Sequence, residues 1–151
     1  MTFDIRHETL DDAYAIEQIV KNAFGPGRFA KTAYRLREAH NYNQLFGFVT
    51  ENHLGKIVAT IRVAPLKGYD DTVILGPIAV DSHCRNMGLG MSLMHKAEYE
   101  CSRYPNIKRI ILVGDPDYYN RFGFIQESAT DIVFPAPVNK NRVLGKYFRH
   151  L

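Results

Sequence analysis

The sequence predicts an α/β fold with a mixed sheet, and three observations carry that reading. An apolar run (Val73, Ile74, Leu75, Ile78, Ala79, Val80) feeds through a glycine-bearing turn into a helix with no acidic residue before Glu98. Downstream, Ile110-Ile111-Leu112-Val113 is an unbroken apolar run of the kind found in a central strand covered on both faces. Residues 72–114 therefore read as a strand–helix–strand crossover, which requires parallel strands. Before it, 45–51 and 56–64 form a hairpin around Asn52-His53-Leu54-Gly55, which adds antiparallel strands.

The elements follow in order. Phe3-Asp4-Ile5-Arg6-His7 alternates with period two, a first strand. Thr9 and Asp12 give an N-cap signal, and Ala13, Ile16, Val20 and Phe24 recur at helical spacing until Gly25-Pro26-Gly27. A second helix is predicted over 29–39, with Phe29, Ala33 and Leu36 inward and Arg28, Lys31 and Arg35 on a solvated face. Strand 72–80 carries Gly76-Pro77 in its middle, and proline cannot donate to a ladder, so a bulge or splay is expected there. The helix after the glycines places Leu89, Leu93, Met94, Ala97 and Cys101 on one stripe. Asp115-Pro116 caps a short helix that Gly123 ends, and two short strands are expected over 124–134 and 142–148.

Bulk properties narrow the class. The 151 residues, 46% hydrophobic and 23% charged, suit one globular domain over 1–151. No apolar run approaches the ~18 residues of a membrane span, and residues 1–8 lack a signal peptide's apolar stretch. Two cysteines without paired spacing, Cys84 and Cys101, fit a reducing cytoplasm. Adjacent His83 and Cys84, with His95 and Cys101, lack the spacing of a metal site, so no metal is expected. A net charge of +3 helps hold a phosphorylated ligand but does not argue for nucleic acid.

The chemistry lies in Arg85-Asn86-Met87-Gly88-Leu89-Gly90. A strand that passes through glycines to a helix start aims free N–H groups and the positive end of the helix dipole at one point. Glycine lets a phosphate approach the main chain closely. This geometry asks for a pyrophosphate-bearing ligand.

Arg85-x-x-Gly88-x-Gly90 after Ile78-Ala79-Val80-Asp81, with Tyr118-Tyr119-Asn120-Arg121-Phe122-Gly123-Phe124 downstream, resembles the GNAT superfamily of acyl-CoA-dependent N-acetyltransferases. Leu112-Val113-Gly114-Asp115-Pro116 resembles a bacterial subgroup of predicted N-acetyltransferases. The resemblance spans nearly the whole chain. It implies a mostly antiparallel mixed sheet with a splayed central parallel pair and flanking helices. It also implies acetyl-CoA as co-substrate and an amine-bearing small molecule or protein as acceptor, with no nucleic acid and no membrane; a homodimer is left open.

Each matched position takes a role from the resemblance. Main-chain groups of Ile78 and Val80 would pair with the pantetheine arm, and a backbone N–H on this strand, which Ala79 completes as part of the cofactor site, would polarise the thioester carbonyl. Amides from Asn86, Met87, Gly88, Leu89, Gly90 and Met91 would hold the pyrophosphate, with Arg85 beside it. Tyr119 would be the catalytic acid that protonates the leaving thiolate, a phenol of pKa ~10 facing a thiol of about 8.5. Asn86 stands where the family more often has glycine, but asparagine tolerates positive φ. Cys84 replaces a frequent aromatic. Deprotonating a lysine-like acceptor at pH 7 costs about 4.6 kcal/mol, and Glu51 is the one candidate base, with a solvated hairpin residue as its bland reading.

Other readings stay open at this level. Tyr118 and Tyr119 point about 100° apart on a helix, so only one can face the thiol, and either can be core. Gly25-Pro26-Gly27-Arg28-Phe29 is either a substrate-gripping loop or a helix break. A non-catalytic acyl-CoA-binding module would use the same cradle. A nucleic-acid domain using the basic second helix and residues 140–149 is the weakest alternative.

Overall fold

The computed structural model describes residues 2–24, 44–134 and 138–147. The predicted loop at Gly25-Pro26-Gly27 and the predicted helix over 29–39 lie outside them. Among the described residues six strands form one sheet in chain order: β1 (Phe3–His7), β2 (Phe46–Asn52), β3 (Ile57–Pro65), β4 (Thr72–Val80), β5 (Arg109–Val113) and β6 (Val143–Tyr147). Every neighbouring pair is antiparallel except β4 and β5, which are parallel. The mixed sheet and its parallel pair thus match the sequence reading.

Helix α1 (Ala13–Phe24) returns across one face. Its entry is fixed by the predicted signal: the Thr9 N–H donates to Asp12 Oδ2 at 2.8 Å, and Arg6 forks onto both Asp12 oxygens at 2.8 and 2.9 Å. Ile16, Ile19 and Val20 bury against Val49, Ile57 and Ala79. Ala13, predicted to face inward, is exposed, because the chain enters through a 3-10 turn (Leu10–Asp12) and the helix meets the sheet only from Ile16 onward.

Helix α2 (Leu89–Ser102) covers the other face with the predicted stripe, Leu89, Leu93, Met94, Ala97 and Cys101, all buried. These pack with Phe48, Ile61, Ile110, Leu112 and Leu144 into the main core. Fully burying each such side chain is worth about 1.5–3 kcal/mol, so this layer supplies most of the fold's cohesion. Burial also disarms Cys101: desolvation, reinforced by Glu98 and Glu100, pushes its thiol up to about 12.

A short helix α3 (Pro116–Tyr119) follows β5, with Asp115 accepting from the Asp117 N–H and proline in the first turn. Gly123, at φ 90°, ends the following turn as expected. The predicted strand over 124–134 is a correction. Only one bridge forms there, between Ile125 and Gly145, followed by a 3-10 turn (Gln126–Ala129). The reason is Arg109. Its guanidinium takes the Ser128 carbonyl and both Asp131 oxygens, so this stretch is tied to a side chain instead of a ladder. No helix among the described residues is long and apolar enough to cross a membrane.

Candidate active site

The site begins where the sheet fails to close. β4 pairs with β5 only through Thr72–Arg109, Val73–Ile110 and Ile74–Ile111. Beyond Ile74, among the described residues, Leu75–Val80 faces no strand on that side, and Leu112 and Val113 pair only with β6. The expected irregularity is present: the register of β3 and β4 shifts between Ile61 and Val63, placing Arg62 opposite Gly76-Pro77. Pro77 brings no N–H to a ladder. The result is a wedge between two strands whose facing main chains are unpaired.

Helix α2 starts at the open end of the wedge. Asp81 turns the chain by accepting from the His83 N–H at 2.9 Å. Asn86, the one non-glycine residue with positive φ among those described, sits at 65°, and Gly88 caps the helix at φ 76°. The substitution of asparagine for glycine is therefore conformationally sound. The Gly88 carbonyl accepts from the Ser92 N–H, which opens the helical ladder and leaves the N–H groups of Gly88, Leu89, Gly90 and Met91 without intrahelical partners. No acidic residue lies in the first turn to compete for them. Arg85, Asn86, Met87 and Met91 are exposed beside this start, while the Leu89 side chain anchors it in the core.

Gly90 shows how tightly the parts converge. A Cβ built there would lie 3.8 Å from Val80 Cγ2 and 3.7 Å from Tyr118 Oη. The end of β4, the start of α2 and helix α3 thus meet at one point. Ile78 and Val80 are half-buried along the wedge against the main core. Ala79 sends its side chain to the opposite face, under α1, so only its main chain can serve a ligand.

The two tyrosines divide as helical geometry requires, with rings 4.9 Å apart and 88° between planes. Tyr119 lies over Gly114, where any Cβ would collide with its ring, and stands edge-on to Phe124. Close approach is what Gly114 provides. Burial, and next the neighbouring Tyr118, push the Tyr119 phenol up to about 12, against a smaller downward pull from Arg142. Tyr119 is thus held protonated. Tyr118 instead reaches toward Gly90, a direction the sequence could not assign because it depends on how α3 docks.

Glu51 does not join this group. It sits on β2, two strands from β4, and its carboxylate accepts from Arg6 Nε at 3.0 Å.

A strand wedge, a free helix start at its mouth and a buried, protonated tyrosine thus lie at one end of the β4–β5 seam. The family model for the Acetyltransferase (GNAT) family matches residues 13–124. The chain belongs to the GNAT acetyltransferases. Among curated relatives, it is 28% identical over 123 residues to the uncharacterized N-acetyltransferase YhbS of Escherichia coli (strain K12), covering 80% of this chain and 72% of that protein. The crystal structure of the E. coli GNAT family N-acetyltransferase YhbS in complex with CoA superposes with a TM-score of 0.79 at 25% identity, over 96% of this chain and 81% of that one. A GNAT family acetyltransferase from Brucella melitensis in complex with acetyl-CoA gives a TM-score of 0.68 at 25% identity, over 95% of each chain. The family match covers α1 through Phe124 and so includes both arms of the wedge.

Proposed function

We propose that this GNAT enzyme, a single domain acting in the cytoplasm, transfers the acetyl group of acetyl-CoA to a primary amine by direct attack. The observation that carries this reading is the wedge between β4 and β5 with the free start of α2 at its mouth. Its unpaired inner edge suits an extended pantetheine arm: main-chain groups along residues 78–80 pair with the arm, as an added strand would. Amides from Asn86 to Met91 hold the pyrophosphate, and exposed Arg85 supplies positive charge beside it. The CoA and acetyl-CoA bound in the E. coli and Brucella structures support the assignment.

The attacking amine forms a C–N bond at the thioester carbon, the C–S bond breaks, and the electron pair leaves on sulfur. Tyr119 donates a hydrogen bond to that sulfur as its charge grows. A phenol raised to about 12 is a poorer acid than the thiol of about 8.5 that it would have to protonate. Its contribution is therefore a hydrogen-bond donor held in a low-dielectric site, and the thiolate takes its proton from water while Tyr119 keeps its own. With Glu51 engaged by Arg6, the acceptor's ammonium proton leaves through water.

Thermal unfolding with and without excess acetyl-CoA tests this. Ligand at a hundred times its Kd adds about 2.7 kcal/mol, a rise of roughly 5–11 °C for a domain of this size. In Gly90→Glu the added Cβ makes only ordinary contacts, and a carboxylate at a helix start is tolerated. That variant should fold but lose the ligand-dependent rise. No rise in the wild type at millimolar acetyl-CoA would end the acetyltransferase reading for this chain. A rise without thiol release across an amine panel would leave a binding module.

A further inference from the structure

Tyr118 belongs to the motif that the reaction has not absorbed, and its position is unusual for a core aromatic. Its hydroxyl crosses from α3 to the start of α2, near enough to Gly90 that an added Cβ would touch it at 3.7 Å. Among the described residues Tyr118 Oη has no hydrogen-bond partner, and the side chain is half-buried. The rest of the residue is held from three sides. Phe122 meets its ring at a steep tilt, with centroids 5.4 Å apart and 61° between planes, Tyr119 meets it edge-on, and the Arg121 guanidinium lies 4.3 Å from the ring centroid. Arg121 Nε also donates to the Tyr118 carbonyl at 3.1 Å. A fixed ring thus carries a hydroxyl without a partner to the side of Gly90, in the first turn of α2 and beside Val80.

Resting on the acetyl-CoA reading above, we propose that Tyr118 closes the phosphate cradle from the α3 side, its hydroxyl donating a hydrogen bond to a pyrophosphate oxygen of CoA. The start of α2 presents donors from one wall of the wedge. Tyr118 supplies one from the opposite wall, with the Arg121 cation stacked behind it. An anion between the walls is then gripped from both, which fixes where along the wedge the pantetheine begins. The tandem tyrosines accordingly serve opposite ends of one ligand: Tyr119 the thioester, Tyr118 the pyrophosphate.

Calorimetric titration of wild type and Tyr118→Phe with acetyl-CoA and with S-acetylpantetheine, which lacks the pyrophosphate, tests the assignment. Phenylalanine keeps the ring contacts with Phe122 and Arg121, and unfolding of the ligand-free variant should match wild type. A hydrogen bond to a charged group sets the expected loss for acetyl-CoA at about ten- to a hundredfold, with affinity for S-acetylpantetheine unchanged. Equal acetyl-CoA affinity in the two proteins would overturn the role, as would a matching loss for both ligands, which would place the hydroxyl on the pantetheine. Failure of the wild type to bind acetyl-CoA at all would instead sink the reading on which this one rests.

Discussion

At its closed end, the seam between β4 and β5 has three ladder pairs and a buried arginine; at its open end, among the described residues, it has neither ladder nor buried charge. Arg109, only 4% exposed, donates to Thr72 Oγ1 at 3.0 Å, the Ser128 carbonyl at 3.2 Å, both Asp131 oxygens and Tyr147 Oη at 3.1 Å. It thereby joins β4, β5, β6 and the 3-10 turn, and in return holds the Asp131 carboxyl below its usual range. The open end leaves its backbone donors unspent. On the proposed function, two parts of the same strand pair divide the labour: cohesion at one end and recognition at the other. Substitutions at one end should therefore leave the other's property alone.

The largest effect should come from the open end. Tyr119→Phe is expected to lower turnover by about 10²–10³-fold with acetyl-CoA affinity nearly kept, read by steady-state kinetics on an accepted amine. Gly114→Ala should reproduce much of that loss without touching the hydroxyl, because the new methyl displaces the Tyr119 ring. If Gly114→Ala turned over normally, the placement of Tyr119 would not matter to the reaction.

A closed-end change should do the reverse. Arg109→Met removes the clamp while keeping an apolar stem among its neighbours, at a cost of about 2 kcal/mol, or roughly 4–8 °C in melting temperature. The rise produced by acetyl-CoA should keep its size in that variant. A shrunken rise would show that the two ends are coupled, and the division of labour would fail.

The smallest effect belongs to a pair remote from the seam. Arg6, chiefly by hydrogen bonding, holds Asp12 down at about 2. A carboxylate depressed in the folded state adds stability that is full above its unfolded value near 3.8 and is lost as pH falls through about 2. Because Arg6 is partly exposed, Asp12→Asn should cost about 1–2 kcal/mol at pH 7. The gap between the two proteins should close between pH 4 and 2 in acid unfolding curves. A gap independent of pH would mean that the carboxylate's charge is irrelevant to this contact.

Much of this arrangement was legible in the sequence, for identifiable reasons. The buried stripe of α2 follows from residues repeating every three or four positions, a pattern local to one element. Asn86 and Gly88 announced positive φ because few other residues adopt it cheaply. What failed were features decided by distant partners. Residues 124–134 look extended until Arg109, far back on β5, claims the Ser128 carbonyl. Glu51 resembled a free base until Arg6, forty-five positions earlier, took its carboxylate. Tyr118 and Tyr119 are equivalent as letters, and only the docking of α3 separates them.

The unpaired inner edges of β4 and β5 bear on handling the protein as well. An unsatisfied strand edge is a template for another chain, and sheet proteins normally blunt theirs with charge, proline or a cover. Here Pro77 blunts part of β4, but Ile78, Ala79 and Val80 on one side and Leu112 and Val113 on the other are apolar. A ligand lying along them acts as a selvedge, keeping the fabric from being sewn to a neighbour's. Protein stored with acetyl-CoA should outlast stripped protein against precipitation, a difference in shelf life that light scattering would follow over days.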